Sequence, residues 1–301
     1  MKLILVNRQC PGDILMLTAA VRDLKAAYPT WEIGVATTNQ YLWDNNPNIT
    51  HFDNPGSIGY QYIGYETPRM LKFEDCSHHF AHAFQRTLNR HLNISIPLGK
   101  PVGDIYLSVN EFEPLIKSSK PVLLVNAGYK DDIPVKQWPI DRFQQTVDEL
   151  KELYTIVQIG RQSTMEHHPE LDGVINMIDE TPGRKIIQLM VQADAVLTGV
   201  SFPMHLCAAV AEKDRKARKC VVLAGGREEP SWEQYDGHIY LNSLGKLNCC
   251  QEHGCWRKLL KPSDTPEDML CLNQVRADKM HYRPQCMMDI SVKEVVDALS
   301  Y

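Results

Sequence analysis

"LILVNRQCPGDILMLTAAVRDLKAAYP", residues 3–29, decides the fold class of this chain. An apolar run from Leu3 to Val6 leads through Cys10-Pro11-Gly12 into a segment whose apolar residues recur at helical spacing. This order of strand, tight loop and helix is the usual setting for a nucleotide phosphate at a helix N-terminus. The loop nevertheless has one glycine, and the helix opens with a carboxylate, Asp13. The stretch predicts an α/β unit and leaves the role of Asp13 to be explained.

The composition is that of a folded protein with no preference for nucleic acid. At 301 residues, with 44% hydrophobic and 23% charged residues, the chain can form one large domain or two ordinary ones. A net charge of −5 disfavours a surface that neutralises many phosphates. No apolar run approaches the roughly 20 residues that cross a bilayer, and the first residues do not have the pattern of a signal peptide. We expect a cytoplasmic protein with at most peripheral membrane contact.

The rest of the sequence alternates strands and helices in two halves. The first half predicts strands over 31–38 and 103–109, with a helix over 78–91, and a Glu-, Lys- and Ser-rich linker follows at 110–120. The second half predicts strands over 121–129, 154–160, 173–178, 195–200 and 219–226, and helices over 139–152, 183–193 and 203–211. Such alternation is typical of parallel sheets covered by helices on both faces, with ligands at the carboxyl ends of the strands.

Several short segments, in order over nearly the whole chain, resemble the heptosyltransferase-like glycosyltransferases of family 9. They are PGDILMLTAAVRDLKAAYP (11–29), VKQWPIDRF (135–143), ADAVLTGVSFPMHLCAAV (193–210), VVLAGGREEPSWEQYDG (221–237) and CMMDISVKEVVDAL (286–299). The resemblance implies a GT-B fold, in which two Rossmann-like parallel-sheet domains face each other across a cleft. It also implies inverting transfer of a sugar, such as heptose, from a nucleotide-diphosphate donor such as ADP-heptose, without a catalytic metal.

The resemblance also implies which domain binds the acceptor and which binds the donor. We expect an acceptor-side domain at 1–115, and a donor-binding domain at 116–285 that includes the cysteine-rich segment 249–286. A C-terminal helix at 286–301 is expected to pack back on the first domain. The acceptor hydroxyl would belong to a saccharide, a glycolipid or a protein, and the histidines and arginines of 76–91 are candidates to receive an anionic acceptor.

Asp13 has a structural and a catalytic interpretation, and both can hold at once. As a helix N-cap it would accept hydrogen bonds from the free N–H groups of the first turn. In the family, the aspartate of the matching Gly-Asp pair faces the cleft as the candidate base that takes a proton from the acceptor. On that interpretation this helix start serves the acceptor, and the donor phosphates bind to the other domain.

The donor-binding candidates lie in the second half of the chain. The family pattern makes Lys136 the point charge beside the donor diphosphate, where it stabilises the leaving group. Backbone N–H groups before the helix at Pro203 are suited to the same diphosphate, and His205 is a candidate donor to a phosphate oxygen. The remaining candidates are Thr198, Gly199 and Ser201 of the same segment, and Gln162 and Glu166, which are placed to meet the ribose or the base.

The chain departs from the family pattern at one point of the donor segment. Many members have Asp-Ser-Gly-Pro where this sequence has Val200-Ser201-Phe202-Pro203. A carboxylate and a glycine that lets the backbone approach closely are both absent here. This departure keeps open a catalytically degenerate protein that binds nucleotide sugars. A nucleotide-sugar 2-epimerase on the same two-domain fold is the other alternative.

Five of the nine cysteines lie in the last fifth of the chain. Cys250, Cys255, Cys271 and Cys286 supply four soft ligands for a structural Zn or Fe ion, with Cys249 spare and His253 and His281 nearby. Some autotransporter heptosyltransferases of the family hold iron with four cysteines. The alternative is that these cysteines are merely buried. A metal here would be structural, because four thiolates leave no position for a substrate.

Overall fold

The structure is a computed structural model, and it describes residues 1–66, 78–260, 267–276 and 282–300. The chain divides into two compact units. The first contains Met1–Glu113, Gly183–Val191 and His205–Lys216, and the second contains Pro114–Pro182, Gln192–Met204 and Ala217–Tyr301. None of the described helices is long and apolar enough to cross a membrane.

The described strands and helices are numbered in chain order. The strands are β1 (Lys2–Asn7), β2 (Glu32–Thr37), β3 (Gly59–Tyr62), β4 (Val122–Asn126), β5 (Tyr129–Lys130), β6 (Thr155–Gly160), β7 (Glu166–His167), β8 (Ile175–Ile178), β9 (Ala195–Gly199), β10 (Lys219–Gly225), β11 (His238–Asn242), β12 (Gln274–Arg276) and β13 (Tyr282–Pro284). The helices are α1 (Pro11–Ala27), α2 (Phe80–Leu92), α3 (Ile140–Leu150), α4 (Lys185–Gln192), α5 (Phe202–Asp214), α6 (Pro230–Glu233), α7 (Gln285–Met288) and α8 (Val292–Ser300).

The first unit is built on a three-stranded parallel sheet in the order β2-β1-β3. The opening stretch folds as its pattern predicts, because β1 is buried from Leu3 onwards and the first half of α1 is almost wholly buried. Pro11 occupies the first turn of α1, where its missing N–H costs nothing. The predicted helix over 78–91 is confirmed as α2, which packs on α1.

The strand predicted over 103–109 is wrong. The segment runs without strand pairing from Gly103 to Ser108 and ends in a short 3₁₀ turn. Its polar backbone groups bond to side chains instead of a neighbouring strand: the N–H of Asp104 donates to Oγ1 of Thr18 at 2.6 Å, and the carbonyl of Tyr106 accepts from Arg184 at 2.7 Å. An apolar run predicts burial, but its partner here is the helix α1 and a side chain, not a sheet.

The second unit is built on a six-stranded sheet in the order β11-β10-β9-β4-β6-β8, and every pair in it is parallel. Counted along this unit, the order is 3-2-1-4-5-6 read from β8, which is the Rossmann arrangement. All five strands predicted for the second half are present, as β4, β6, β8, β9 and β10. The structure adds β11 at the edge of the sheet.

The C-terminal helix belongs to the core of the second unit. Val295 and Leu299 of α8 are fully buried in the cluster that also contains Trp138. The indole N–H of Trp138 donates to the carbonyl of Ile290 at 3.1 Å, and α8 makes its main contacts with α3 and β10. The residues predicted as one helix over 286–301 form two, because α7 ends at Met288 and α8 begins at Val292.

A buried histidine fills the space beyond two neighbouring strands of this sheet. His168 lies between Gly128, after β4, and Gly160, the last residue of β6, and a Cβ at either glycine would come within 2.1 Å of its ring. Burial lowers the pKa of His168, so the neutral imidazole is favoured. These two glycines are therefore required for space.

Replacing Gly160 with alanine should destabilise the second unit, because its Cβ would lie 2.1 Å from Nδ1 of the enclosed His168 ring. Overpacking of this kind costs about 1–3 kcal/mol, and denaturant unfolding should show that loss. Gly59→Ala is the control, since a Cβ there meets nothing within 4 Å. Equal stability of the two variants would mean that the imidazole moves aside at no cost.

Candidate active site

Asp13 lies in the first turn of α1 and uses both carboxylate oxygens. Oδ2 accepts from the backbone N–H of Cys10 at 3.0 Å, and Oδ1 accepts from the hydroxyl of Tyr65 at 2.8 Å. Cys10, not Asp13, is the N-cap residue, and Asp13 is the third helical residue of a capping box. The predicted N-cap position was therefore wrong by one turn, although the carboxylate still caps the helix. Asp13 is half-buried.

The ring of Tyr65 belongs to an aromatic cluster. The Tyr65 ring packs against Phe80 and Phe84 of α2, with ring centroids 5.5 and 5.1 Å apart. The ring of His205 lies 5.2 Å from that of Phe80, and His205 is 5% exposed. His205 thus lies in the first unit, beside Phe80, although the sequence predicts it in the donor-binding half.

Lys136 lies at the carboxyl end of the central sheet of the second unit, in a 3₁₀ turn (Pro134–Lys136) that follows β4 and β5. Its ammonium is 2.6 Å from Oε1 of Glu228 and 3.5 Å from the carbonyl oxygen of Val200, which follows β9. Since the strand order reverses between β4 and β9, Lys136 sits at the topological switch point, where open parallel sheets bind their ligands.

The end of β9 and the loop after it bring three more predicted residues to the same point. Oγ1 of Thr198 and Oγ of Ser201 are 3.0 Å apart, and the Ser201 hydroxyl donates to the carbonyl of Gly199 at 3.4 Å. A Cβ on Gly199 would meet the carbonyl oxygen of Lys136 at 3.9 Å. Four of the predicted donor-binding residues are therefore neighbours, although nothing local in the sequence joins Lys136 to the loop at 198–201.

The two residues predicted for the nucleoside lie beyond β6. The Gln162 side chain hydrogen-bonds within its own loop: it donates to the carbonyl of His168 at 3.1 Å and accepts from the His168 N–H at 2.9 Å. Glu166 forms an ion pair with Lys130 at 2.6 Å. Both side chains hold this loop in shape, and their described contacts place them beside β5 and β7.

Sequence reasoning missed Glu228 and Arg227, although the segment that contains them was noted. They follow the Gly-Gly turn after β10, and both are more than nine-tenths buried. Arg227 bonds to Oε1 of Glu228, donates from Nε to the carbonyl of Arg257 at 2.8 Å, and lies 5.5 Å from the Trp256 ring. Two adjacent acids after a glycine turn were the available signal, but nothing in the sequence pairs either with Lys136.

The five cysteines of the last fifth gather in the second unit, and we call Cys249, Cys250, Cys255, Cys271 and Cys286 the cysteine cluster. Burial raises the pKa of Cys271 to about 11 and that of Cys286 to about 12. The neighbouring thiols add to these shifts: Cys255 and Cys249 raise the pKa of Cys271, and Cys255, Cys271 and Cys250 raise that of Cys286. Mutual repulsion of this kind requires that the sulfurs lie near one another.

The donor set of the cysteine cluster suits a soft metal ion, but the sulfurs are spread more widely than in a closed coordination shell. Within this cluster, all of whose residues are described, no three ligand atoms lie within 4.8 Å of one another. The backbone of Arg257 hydrogen-bonds to the Cys255 sulfur, and the Asn273 amide donates to that of Cys249 at 3.0 Å. Burial raises the pKa of Cys255, and its bond to the Arg257 backbone offsets part of that rise. His281, named with this group, lies outside the described residues.

A cavity of about 490 Å³ lies in the first unit and does not involve Asp13. Its walls include Asp44, His51, Glu111, Arg184 and Lys185. Arg184 forms two hydrogen bonds with the carboxylate of Glu111, at 2.5 and 2.7 Å. Burial alone would raise the pKa of Glu111, but its bonds to Arg184 and Ser108 outweigh burial and lower it. The cavity surrounds a structural ion pair.

No family model matches the sequence, and no curated protein sequence matches it. Solved structures do match the fold. A glycosyltransferase of family 9 from Veillonella parvula is 14% identical, with 99% of this chain and 95% of that one covered and a TM-score of 0.61. ADP-heptose lps heptosyltransferase II of E. coli is 14% identical, with 99% and 97% covered and a TM-score of 0.60.

A third solved structure is TibC, the iron-containing dodecameric glycosyltransferase of enterotoxigenic E. coli. It is 15% identical, with 99% of this chain and 77% of that one covered and a TM-score of 0.64. A complex of TibC with ADP-D-β-D-heptose is 14% identical, with 99% of this chain and 74% of that one covered and a TM-score of 0.67. At these identities the likeness concerns the fold. The chain therefore has the GT-B fold of these heptosyltransferase-like glycosyltransferases.

Proposed function

We propose that this protein is an inverting glycosyltransferase that moves a sugar from a nucleoside-diphosphate donor to a hydroxyl acceptor. The observation that carries the proposal is the meeting of Lys136 with the loop at 198–201 at the switch point of a Rossmann-ordered sheet. A cation and a helix start at this point suit a diphosphate. The solved structures that share the fold are named as glycosyltransferases, and no observation favours a 2-epimerase.

In the proposed reaction, each unit has a separate task. Asp13 takes the proton of the acceptor hydroxyl as that oxygen bonds to the anomeric carbon of the sugar. The bond between that carbon and the diphosphate oxygen breaks, and its electron pair leaves with the nucleoside diphosphate. Lys136 stabilises the negative charge that develops on the leaving group. The proton then passes from Asp13 to solvent, and the configuration at the anomeric carbon is inverted.

The proposed donor is ADP-heptose or a related nucleotide sugar, because TibC was solved with ADP-D-β-D-heptose. The acceptor is a saccharide, a glycolipid or a protein, and a cytoplasmic location with peripheral membrane contact fits such acceptors. Donor binding without either transfer or hydrolysis would favour the degenerate binding protein that the Val200 and Phe202 departures keep open.

We also propose that the cysteine cluster holds one structural Zn or Fe ion. Cys255, Cys271 and Cys286 would be three ligands, and Cys250 or its neighbour Cys249 the fourth. TibC, which shares the fold, is named as iron-containing. The ion would supply cross-linking of the loops after β10 and before α7, and four thiolates would leave it no open position. Raised thiol pKa values mean that binding releases protons, so metal affinity should fall as the pH falls.

The donor proposal is tested by calorimetry with ADP, UDP and ADP-heptose on the native protein and on Lys136→Ala. We expect one adenine nucleotide to bind, and the variant to bind it about 1–3 kcal/mol more weakly, which is the scale of a charge-assisted hydrogen bond. Lys151→Ala is the control, because Lys151 is exposed and pairs with Asp148 at the end of α3. Unchanged affinity in Lys136→Ala would remove Lys136 from the site.

The variant Asp13→Asn distinguishes the helix-capping role of Asp13 from its proposed role as the general base. The amide oxygen can still accept from the Cys10 N–H, so stability should fall by less than the roughly 0.5–2 kcal/mol expected for a lost cap. Asparagine cannot take the acceptor proton, so turnover should fall by about 10²–10⁴-fold while ADP affinity is unchanged. Rates of sugar transfer beside an ADP titration decide the matter, and near-normal transfer would reduce Asp13 to a cap.

Purified untagged protein should contain about one equivalent of Zn or Fe, and chelation should lower its melting temperature. Elemental analysis of Cys249→Ser and Cys250→Ser identifies the fourth ligand, since only one of the two variants should lose the ion. Cys10→Ser is the control, because Cys10 is exposed and lies in the first unit. If the protein contains no stoichiometric metal, the residues of the cysteine cluster are packed thiols and the metal proposal is wrong.

A further inference from the structure

Glu228 carries a buried charge that the proposed reaction does not use. The residue is 2% exposed, and its Oε1 is shared by the ammonium of Lys136, at 2.6 Å, and the guanidinium of Arg227. Its other oxygen, Oε2, is also buried and has no hydrogen-bond partner within the described chain. A buried carboxylate is costly unless it is paired, so Glu228 and the two cations hold one another in place.

Glu228 is suited to fix Lys136 because a lysine side chain has much freedom to lose. Ordering such a flexible side chain costs conformational entropy, and a lysine that is already held does not lose that entropy again when a ligand binds. The Lys136 ammonium is partly exposed, while its partner is almost fully enclosed. The ion pair therefore leaves the cation accessible and removes its freedom.

The cysteine cluster fixes the loop that carries Glu228. The N–H of Cys255 donates to the carbonyl of Gly226 at 3.1 Å, and the N–H of Trp256 donates to that of Arg227 at 3.0 Å. A Cβ on Gly226 would lie 2.7 Å from the sulfur of Cys250, so the loop lies directly against the thiols. The two residues before Glu228 are thus bonded to the segment that surrounds the proposed metal.

We infer that Glu228 is a positioning residue for donor binding: it holds Lys136 at the switch point, and the cysteine cluster holds Glu228. The inference rests on the proposed function, because it takes a nucleoside diphosphate as the ligand of Lys136. It makes a prediction opposite to that of simple electrostatics. If Glu228 only cancelled positive charge, its removal would strengthen the binding of an anion; if it positions Lys136, removal weakens binding.

Glu228→Gln should bind ADP about 10–100-fold more weakly by calorimetry, since the loss is on the scale of one charge-assisted hydrogen bond. Glu229→Gln is the matched control. Glu229 is the next residue and carries the same charge, but it pairs with His253 at 3.0 Å. We expect that variant to keep native ADP affinity. Equal weakening in both variants, or tighter binding in Glu228→Gln, would overturn the inference.

A double-mutant cycle tests whether Glu228 acts through Lys136. In a Lys136→Met background, Glu228→Gln should change ADP affinity by less than about twofold, because no cation remains to be positioned. A further tenfold loss there would overturn the positioning role. Native protein that binds no nucleoside diphosphate would instead refute the proposed function, so the two failures are distinguishable.

Metal content and melting temperature are measured on every variant, so that loss of fold is not mistaken for loss of positioning. If Glu228→Gln does not fold, Glu228→Asp replaces it, since the shorter side chain keeps the charge but draws Lys136 away from its place. We expect that variant to retain metal and to bind ADP at least fivefold more weakly. Native ADP affinity in folded Glu228→Asp would overturn the inference.

Discussion

The parallel pairing of β4 with β9 is the constraint on which the second unit depends. Parallel strands need a crossover connection, and right-handed crossovers in both directions from one central strand leave a crevice where the directions part. β4 continues to β6 and β8 on one side, and β9 to β10 and β11 on the other. The loops that follow β4 and β9 therefore begin beside each other, whatever their sequences. Lys136 and the residues at 198–201 meet because of this order.

The burial of the Glu228 charge explains why the loop after β10 contacts Lys136. Glu228 is enclosed, and an enclosed carboxylate must be paired, so its position requires cations within reach. Lys136 comes from the loop after β4 and Arg227 from the same loop as Glu228. The pair joins segments about ninety residues apart in the sequence, at the carboxyl edge of the sheet, which is where open parallel sheets in general bind their ligands. The same contact thus serves the fold and the proposed site.

Apolar runs were enough to predict five of the six strands of the second sheet, because a parallel strand buried on both faces has a continuous apolar sequence. They failed at 103–109, where the run is buried but its backbone bonds to Thr18 and Arg184. The gathering of Lys136 with 198–201 was predictable from the family resemblance and from topology. The partnership of Lys136 with Glu228 was not, since a salt bridge between loops depends on loop geometry, which sequence pattern does not encode.

Glu228 supplies a carboxylate beside Lys136, where the loop after β9 has none. Position 200 is a valine, but its carbonyl oxygen is 3.5 Å from the Lys136 ammonium, and the carboxylate of Glu228 is 2.6 Å away from the same group. A negative charge therefore lies beside Lys136 although the loop after β9 does not supply it. The carbonyls of Gly226 and Arg227, the two residues before Glu228, accept backbone hydrogen bonds from Cys255 and Trp256, so the rigidity of that segment bears on the position of the lysine. Cysteines that take no part in the chemistry would then matter for donor binding, because they fix the loop whose carboxylate holds the cation.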